Sequence, residues 1–234
     1  MLLAPTLQHL ISDMESIRKE LHIEEWILFG GSWGSSLALA YAIQYKEMTK
    51  GLILRGVFLS REKEMDWLLK EVDQFFPELH NKLINHKSDI NKDNLVSNYI
   101  DLVFSEDKKE AREAAVAWNT FEGSILKMLP NTNSTKNYEI DLDFELARAK
   151  VQLHYIRSHC FIDGDDILKN INTLKDKPII IVQGRYDMVC PPKTAFEVSQ
   201  QLPQSELMMI PDAGHSASED GTLDGLIRAT EKFK

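Results

Sequence analysis

Two cysteines in 234 residues, Cys160 and Cys190, are too few for a disulfide framework, so a reducing compartment is the default. No run approaches the roughly 18 consecutive apolar residues of a membrane-spanning helix. The opening Met1-Leu-Leu-Ala-Pro5 lacks the basic start and long apolar stretch of a secretion signal. A cytoplasmic protein is expected. Positive charge is in the minority, with 27 Lys+Arg against 36 Asp+Glu and a net charge of −9, which argues against a general binder of nucleic acid or anionic membrane. There is no phosphate loop and no dinucleotide fingerprint, and no cofactor is expected. His80 and His86 stand six apart, and His154 and His159 five apart. Neither spacing puts both rings on one helical face, so no metal site is expected. Repeats and low-complexity segments are missing too.

What the chain does have is Trp26-Ile-Leu-Phe-Gly-Gly-Ser-Trp-Gly-Ser35. It reads as a short buried strand, a tight turn and the start of a helix. A G-x-S-x-G pentapeptide in that context is a nucleophile elbow, with Ser32 at its tip. The flanking glycines, Gly30 and Gly34, are expected where strand and helix cross too closely for a side chain. Leu37-Ala-Leu-Ala-Tyr-Ala42 then supplies small residues suited to packing on a sheet.

The rest of the chain has the rhythm of a parallel α/β sheet. Leu7, Leu10, Ile11, Met14, Ile17 and Leu21 mark one face of a helix over residues 6–22, with Thr6 as its N-cap. Gly51 to Phe58 reads as a second buried strand, completing a parallel βαβ unit. Helical periodicity then dominates to about Phe161, with segments over 95–104, 111–121 and 143–158 and a polar loop at 130–137. About one hundred helical residues are too many for a simple crossover and read as an inserted lobe. Lys177 to Gly184 is a continuous apolar strand, as when helices cover both faces. A helix over 192–201, a shorter strand over 206–210 and a closing helix over 222–233 follow.

A serine hydroxyl becomes a useful nucleophile only when an oriented base takes its proton. Elbow hydrolases carry their partners in the chain order Ser, Asp/Glu, His. Asp187 stands just past the end of the Ile179–Val182 strand, and His215 just past the Glu206–Ile210 strand, where ligands gather in open α/β sheets. Ser32, Asp187 and His215 therefore form the candidate triad. Taken singly, Asp187 could cap the helix beginning near Pro192 and His215 could be a surface histidine. Cys190 reads as a buried small hydrophobe.

Gly-Gly-Ser-Trp-Gly-Ser, Leu54-Arg-Gly56, Phe121-Glu-Gly123, His154-Tyr155, Gly184-Arg-Tyr-Asp187 and Gly214-His-Ser216 together resemble prolyl aminopeptidase (proline iminopeptidase), over nearly the whole chain. The resemblance implies an α/β-hydrolase fold: a mostly parallel sheet flanked by helices, with residues 1–60 and 161–234 as core and 61–160 as an inserted helical cap. It implies a serine exopeptidase that releases N-terminal proline from peptides through an acyl-enzyme. Ser32 is then the nucleophile, His215 the general acid/base, Asp187 the orienting carboxylate and the Trp33 backbone N–H an oxyanion donor. Glu122 stands where a family glutamate binds the free amino terminus of the substrate.

The chain departs from the family twice. Gln152 replaces a second glutamate; an amide can accept a hydrogen bond from the amine but brings no charge, a loss on the order of 1–3 kcal/mol of binding. Ahead of the elbow, family members carry a His-Gly-Gly-Pro-Gly stretch and several strands, whereas residues 1–25 read here as helix. The expectation is an N-terminally truncated chain without the second oxyanion donor, with an exposed strand edge prone to self-association. Two other readings stay open: an esterase or amidase of different specificity, and a non-catalytic remnant that serves as a binding module.

Overall fold

A computed structural model describes residues 6–88, 90–129 and 140–234. Its four strands form one parallel sheet in the order β1-β2-β3-β4, namely β1 (Trp26–Gly31), β2 (Thr49–Arg55), β3 (Ile179–Gly184) and β4 (Glu206–Ile210). Register is set by the pairs Leu28↔Leu52, Leu52↔Ile179 and Ile180↔Glu206. β1 is an edge of this sheet, and Phe29 on it is 56% exposed.

Ten α-helices complete the described chain. α1 (Leu7–Glu20) precedes the sheet, and α2 (Trp33–Gln44) joins β1 to β2. Between β2 and β3 the described residues hold no strand. They form α3 (Glu62–Asp66), α4 (Pro77–Ile84), α5 (Leu95–Val103), α6 (Lys108–Ile125), α7 (Leu142–Arg157) and α8 (Gly164–Asn170) with short helical turns. α9 (Pro192–Gln201) joins β3 to β4, and α10 (Asp220–Glu231) closes the chain. The polar loop expected at 130–137 lies outside the described residues.

Side chains alternate across the sheet, which explains why the strands read as unbroken apolar runs. Leu52, Leu54, Ile179 and Ile181 join the larger core with Ala38, Leu39 and Ala42 of α2. That core continues without a break through Tyr99, Trp118 and Leu153 of the inserted helices. Ile53, Ile180 and Val182 point the other way and form a smaller core with Leu226 and Ala229 of α10. No helix among the described residues is long and apolar enough to cross a membrane.

α1 departs from its expected face. Thr6 caps it, accepting from His9 N, and Leu7 and Ile11 are buried. Ile17 and Leu21, however, are 53% and 63% exposed. The buried line runs instead through Glu15 and Arg18. Arg18 donates from Nε and Nη2 to the two oxygens of Glu15 at 2.8 and 3.0 Å, and Tyr41 of α2, fully buried, donates its hydroxyl to the same carboxylate. An apolar periodicity cannot announce such a face, because the charges are tolerated only once they are paired. The Arg18 guanidinium holds the Glu15 carboxyl down at about 2.

A depressed carboxyl stabilises the fold above its unfolded value, and that contribution is lost as pH falls through the folded value. Glu15→Gln should therefore cost about 1–2 kcal/mol at neutral pH, where the hydrogen bonds lose their charge assistance. The gap between wild type and variant should close between about pH 4.5 and about pH 2. Urea unfolding followed by circular dichroism across that range measures it; a constant gap contradicts the assignment.

Candidate active site

All four strands deliver a residue to the same sheet edge, because parallel strands end together. Ser32 follows β1, Arg55 ends β2, Asp187 follows β3 and His215 follows β4. The geometry begins at Ser32, whose φ of 56° and ψ of −127° lie in a region that L-residues avoid. Its N–H donates to Arg55 O at 2.8 Å, and its carbonyl accepts from Ser35 Oγ at 2.6 Å. Both sides of the turn are thus pinned. A Cβ on Gly30 would lie 2.1 Å from the Gly34 carbonyl oxygen, so glycine is required there.

Gly34 differs from expectation. A Cβ there would meet nothing within 4 Å. The close approach is one-sided: Gly30 faces the Gly34 carbonyl, while the Gly34 α-carbon faces open space.

Asp187 is 2% exposed and fully bonded. Oδ1 accepts from Val189 N at 3.0 Å and Cys190 N at 2.7 Å, and Oδ2 accepts from Gln183 Nε2 at 3.1 Å. Oδ2 also meets His215 Nδ1 at 2.8 Å. Asp187 is therefore not the cap of α9, whose N-cap is Pro191 without a side-chain bond. His215 is 5% exposed and not a surface histidine. Its N–H donates to Leu126 O at 2.8 Å, just beyond α6. Glu219 fixes the same junction by accepting from Gly214 N and Met128 N, both at 2.9 Å. Gly56, at φ 54°, makes room for the ring: a Cβ there would stand 3.0 Å from His215 Cε1.

Arg55 was legible only as part of the Leu-Arg-Gly signature, with no role attached. Its Nη1 lies 3.1 Å from His215 Nε2 and donates to His215 O at 2.9 Å. A guanidinium only donates, so Nε2 accepts and Nδ1–H faces Asp187. The imidazole thus holds the tautomer of a general base, with its lone pair occupied by Arg55. Burial pulls the Arg55 pKa below its ordinary value, against the charge of Asp187. Ser32 Oγ meets Cys190 Sγ at 4.0 Å. Burial, with Asp187 adding to it, pushes the Cys190 thiol well up, consistent with an inert packing residue.

Trp33 opens α2, so its amide is among the helix's free N-terminal donors. Its ring packs edge-on against Tyr155, with centroids 5.0 Å apart. Both rings line a cavity of about 400 Å³ that opens on Ser32 and is otherwise largely apolar. Glu122 and Gln152 line it as well. Glu122 Oε2 accepts from Arg148 Nη2 at 2.6 Å, and its Oε1 accepts from Gln152 Nε2. Trp118 Nε1 donates to Gln152 Oε1 at 2.9 Å. Gln152 thus links the Trp118 indole to Glu122 and braces the carboxylate, while its own oxygen keeps a second lone pair.

A parallel sheet with an elbow serine after one strand and a bonded Asp–His pair after two others defines a hydrolase of the α/β class. A family model described as "alpha/beta hydrolase fold" matches residues 6–222, and the chain belongs to that family. The fold is shared with MGS-M2, an α/β hydrolase from a deep-sea metagenome library, at a TM-score of 0.59 and 17% identity over 100% of this chain and 74% of that one. An α/β-fold hydrolase of Bacillus anthracis str. Sterne gives 0.56 at 19% identity, over 97% and 72%. Within the family, the chain belongs with the proline iminopeptidases. A probable proline iminopeptidase of Leptolyngbya boryana is 38% identical over 226 residues, covering 96% of this chain and 70% of that protein. The proline iminopeptidase of Neisseria gonorrhoeae is 36% identical over 225 residues, covering 95% and 71%.

The glycine asymmetry gives a direct test. Gly30→Ala should destabilise by several kcal/mol or prevent folding, since backbone must move to admit the methyl. Gly34→Ala, in the first turn of α2, should be neutral or stabilising by up to about 1 kcal/mol. Thermal unfolding of both variants decides; equal destabilisation would refute the one-sided approach.

Proposed function

We propose that this chain is a serine exopeptidase that releases N-terminal proline from peptides, with residues 61–160 acting as a cap over the site and the cytoplasm as its compartment. The observation that carries the reading is the Asp187–His215 pair at 2.8 Å, presented at the same sheet edge as the strained Ser32. The names of the similar iminopeptidases support the substrate, and the two free cysteines suit a reducing compartment.

The reaction begins when His215 Nε2 exchanges Arg55 for the Ser32 hydroxyl. The imidazole takes the proton from Oγ, which attacks the carbonyl carbon of the N-terminal residue, and Asp187 stabilises the imidazolium. Trp33 N–H donates to the oxygen that gains the charge. The tetrahedral intermediate collapses, the C–N bond breaks and His215 protonates the departing amine. Water, activated by the same ring, then cleaves the acyl–Ser32 ester. Glu122 is the carboxylate that receives the substrate's ammonium, and the apolar walls of the cavity take the pyrrolidine ring.

Purified chain should hydrolyse a proline arylamide in preference to a short acyl ester. Ser32→Ala should lower that rate by on the order of a thousandfold or more with an unchanged circular-dichroism spectrum. Preferred turnover of the ester would favour an esterase or amidase. Equal arylamide hydrolysis by wild type and Ser32→Ala would remove Ser32 from the chemistry.

A further inference from the structure

Glu122 is the only carboxylate among the described residues lining the cavity that opens on Ser32. It also borders a second space of about 530 Å³ on the far side, lined by Phe144, Ala147 and Arg148. Val151 and Gln152 belong to both walls, whereas Arg148 lines the outer space alone. The carboxylate therefore stands between the cavity that opens on Ser32 and a shallow, solvent-open hollow. On the outer side it is paired with a cation of its own chain.

Helix register produces this arrangement. Trp118 and Glu122 stand one turn apart on α6, and Arg148 and Gln152 one turn apart on α7, so each pair shares a helical face. Running oppositely, the two helices match Trp118 with Gln152 and Glu122 with Arg148. The Arg148 side chain is 37% exposed and that of Glu122 22%. Glu145 is the other carboxylate near the guanidinium, at 3.8 Å, and Asn119 donates to it at 2.6 Å. Each carboxylate oxygen of Glu122 thus carries one protein donor and keeps a second lone pair. An ammonium entering from the Ser32 side can bind without displacing Arg148. It must do so against the repulsion of a guanidinium on the same carboxylate.

We propose that Arg148 is a positioning residue that sets the specificity of the amine subsite. As resident counter-ion of Glu122, it weakens the hold on the substrate's ammonium and so narrows the preference for a charged amine over an uncharged acyl group. The inference rests on the reading of Glu122 as the amine-binding carboxylate.

Steady-state kinetics of wild type, Arg148→Met, Arg148→Gln and Arg148→Lys with a proline arylamide and a short acyl ester test it. Without the charge, as Met or Gln, KM for the proline arylamide should fall roughly three- to tenfold, with kcat within about twofold and KM for the ester unchanged, a modest effect because the pair is partly exposed to solvent. Arg148→Lys, which keeps the charge, should behave as wild type. If Arg148 served only to hold Glu122 in place, KM for the arylamide would rise in the Met and Gln variants, and the proposal would be overturned. Calorimetric titration of the same proteins with pyrrolidinium chloride reads the subsite without hydrolysis. Tighter binding to Arg148→Met than to wild type supports the role of Arg148; equal or weaker binding overturns it. Failure of wild type to cleave the arylamide at all counts against the proposed activity and leaves this second readout standing.

Discussion

The site depends on one steric fact, the crossing of β1 and α2 at Gly30. A backbone carbonyl stands 2.1 Å from the point where a Cβ would be, and the chain between strand and helix is short enough to force Ser32 to a positive φ. A non-glycine residue in that region costs on the order of 1–3 kcal/mol and persists only where the surroundings over-determine it. Here they do. The Arg55 carbonyl fixes the turn from β2, and the Ser35 hydroxyl fixes it from within α2, itself braced by accepting from Phe58 N at 3.1 Å. Ser36 donates to the Phe58 carbonyl in the same loop. The elbow is thus tied to the segment that follows β2, and that strand also supplies Arg55.

The other half of the site is held by polar bonds. Asp187 has four donors around its two oxygens, counting His215 Nδ1–H. Glu219 bonds both the loop before His215 and the segment after α6. A buried carboxylate bonded in this way is fixed in position and remains an acceptor, which is what an orienting acid needs. The consequence is mechanical coupling. His215 N and Ser216 N both donate to Leu126 O, and Glu219 accepts from Met128 N, so the C-terminal loop is tied to the segment that follows α6.

Much of this was legible in the chain. The strands show as apolar runs, because a parallel sheet covered on both faces buries every side chain. The candidate residues Ser32, Asp187 and His215 show by type and by place after three strands. What stayed hidden was charge pairing. Glu15 and Arg18 lie off the apolar stripe of residues 6–22, and Tyr41, which meets Glu15, stands 26 positions further on. Arg55 is adjacent to His215 only across 160 positions, and Arg148 meets Glu122 across 26. Periodicity reports which face is apolar and says nothing of which charges find partners there. Gln152 shows the same limit, since its chemistry depends on the Trp118 indole, and Gly34 shows that a motif glycine need not be a steric one.

Arg55 and Arg148 also follow a common logic. Each places a guanidinium on the group that is to receive something from the substrate side: the lone pair of His215 in one case, the charge of Glu122 in the other. Left without a partner, the buried His215 ring nitrogen would be an unsatisfied polar group, and Glu122 would stand as a lone, partly exposed charge beside a largely apolar cavity. Pairing removes that penalty in the free protein. It also means that binding is an exchange, in which the substrate gains only the difference between its own contacts and those it replaces or shares. In the proposed reaction the exchange at His215 is complete, because Nε2 has a single lone pair and the Ser32 hydroxyl would take it. At Glu122 it can be partial, because the carboxylate has lone pairs to spare. Differences in rate are therefore expected to trace to Arg55, and differences in specificity to Arg148.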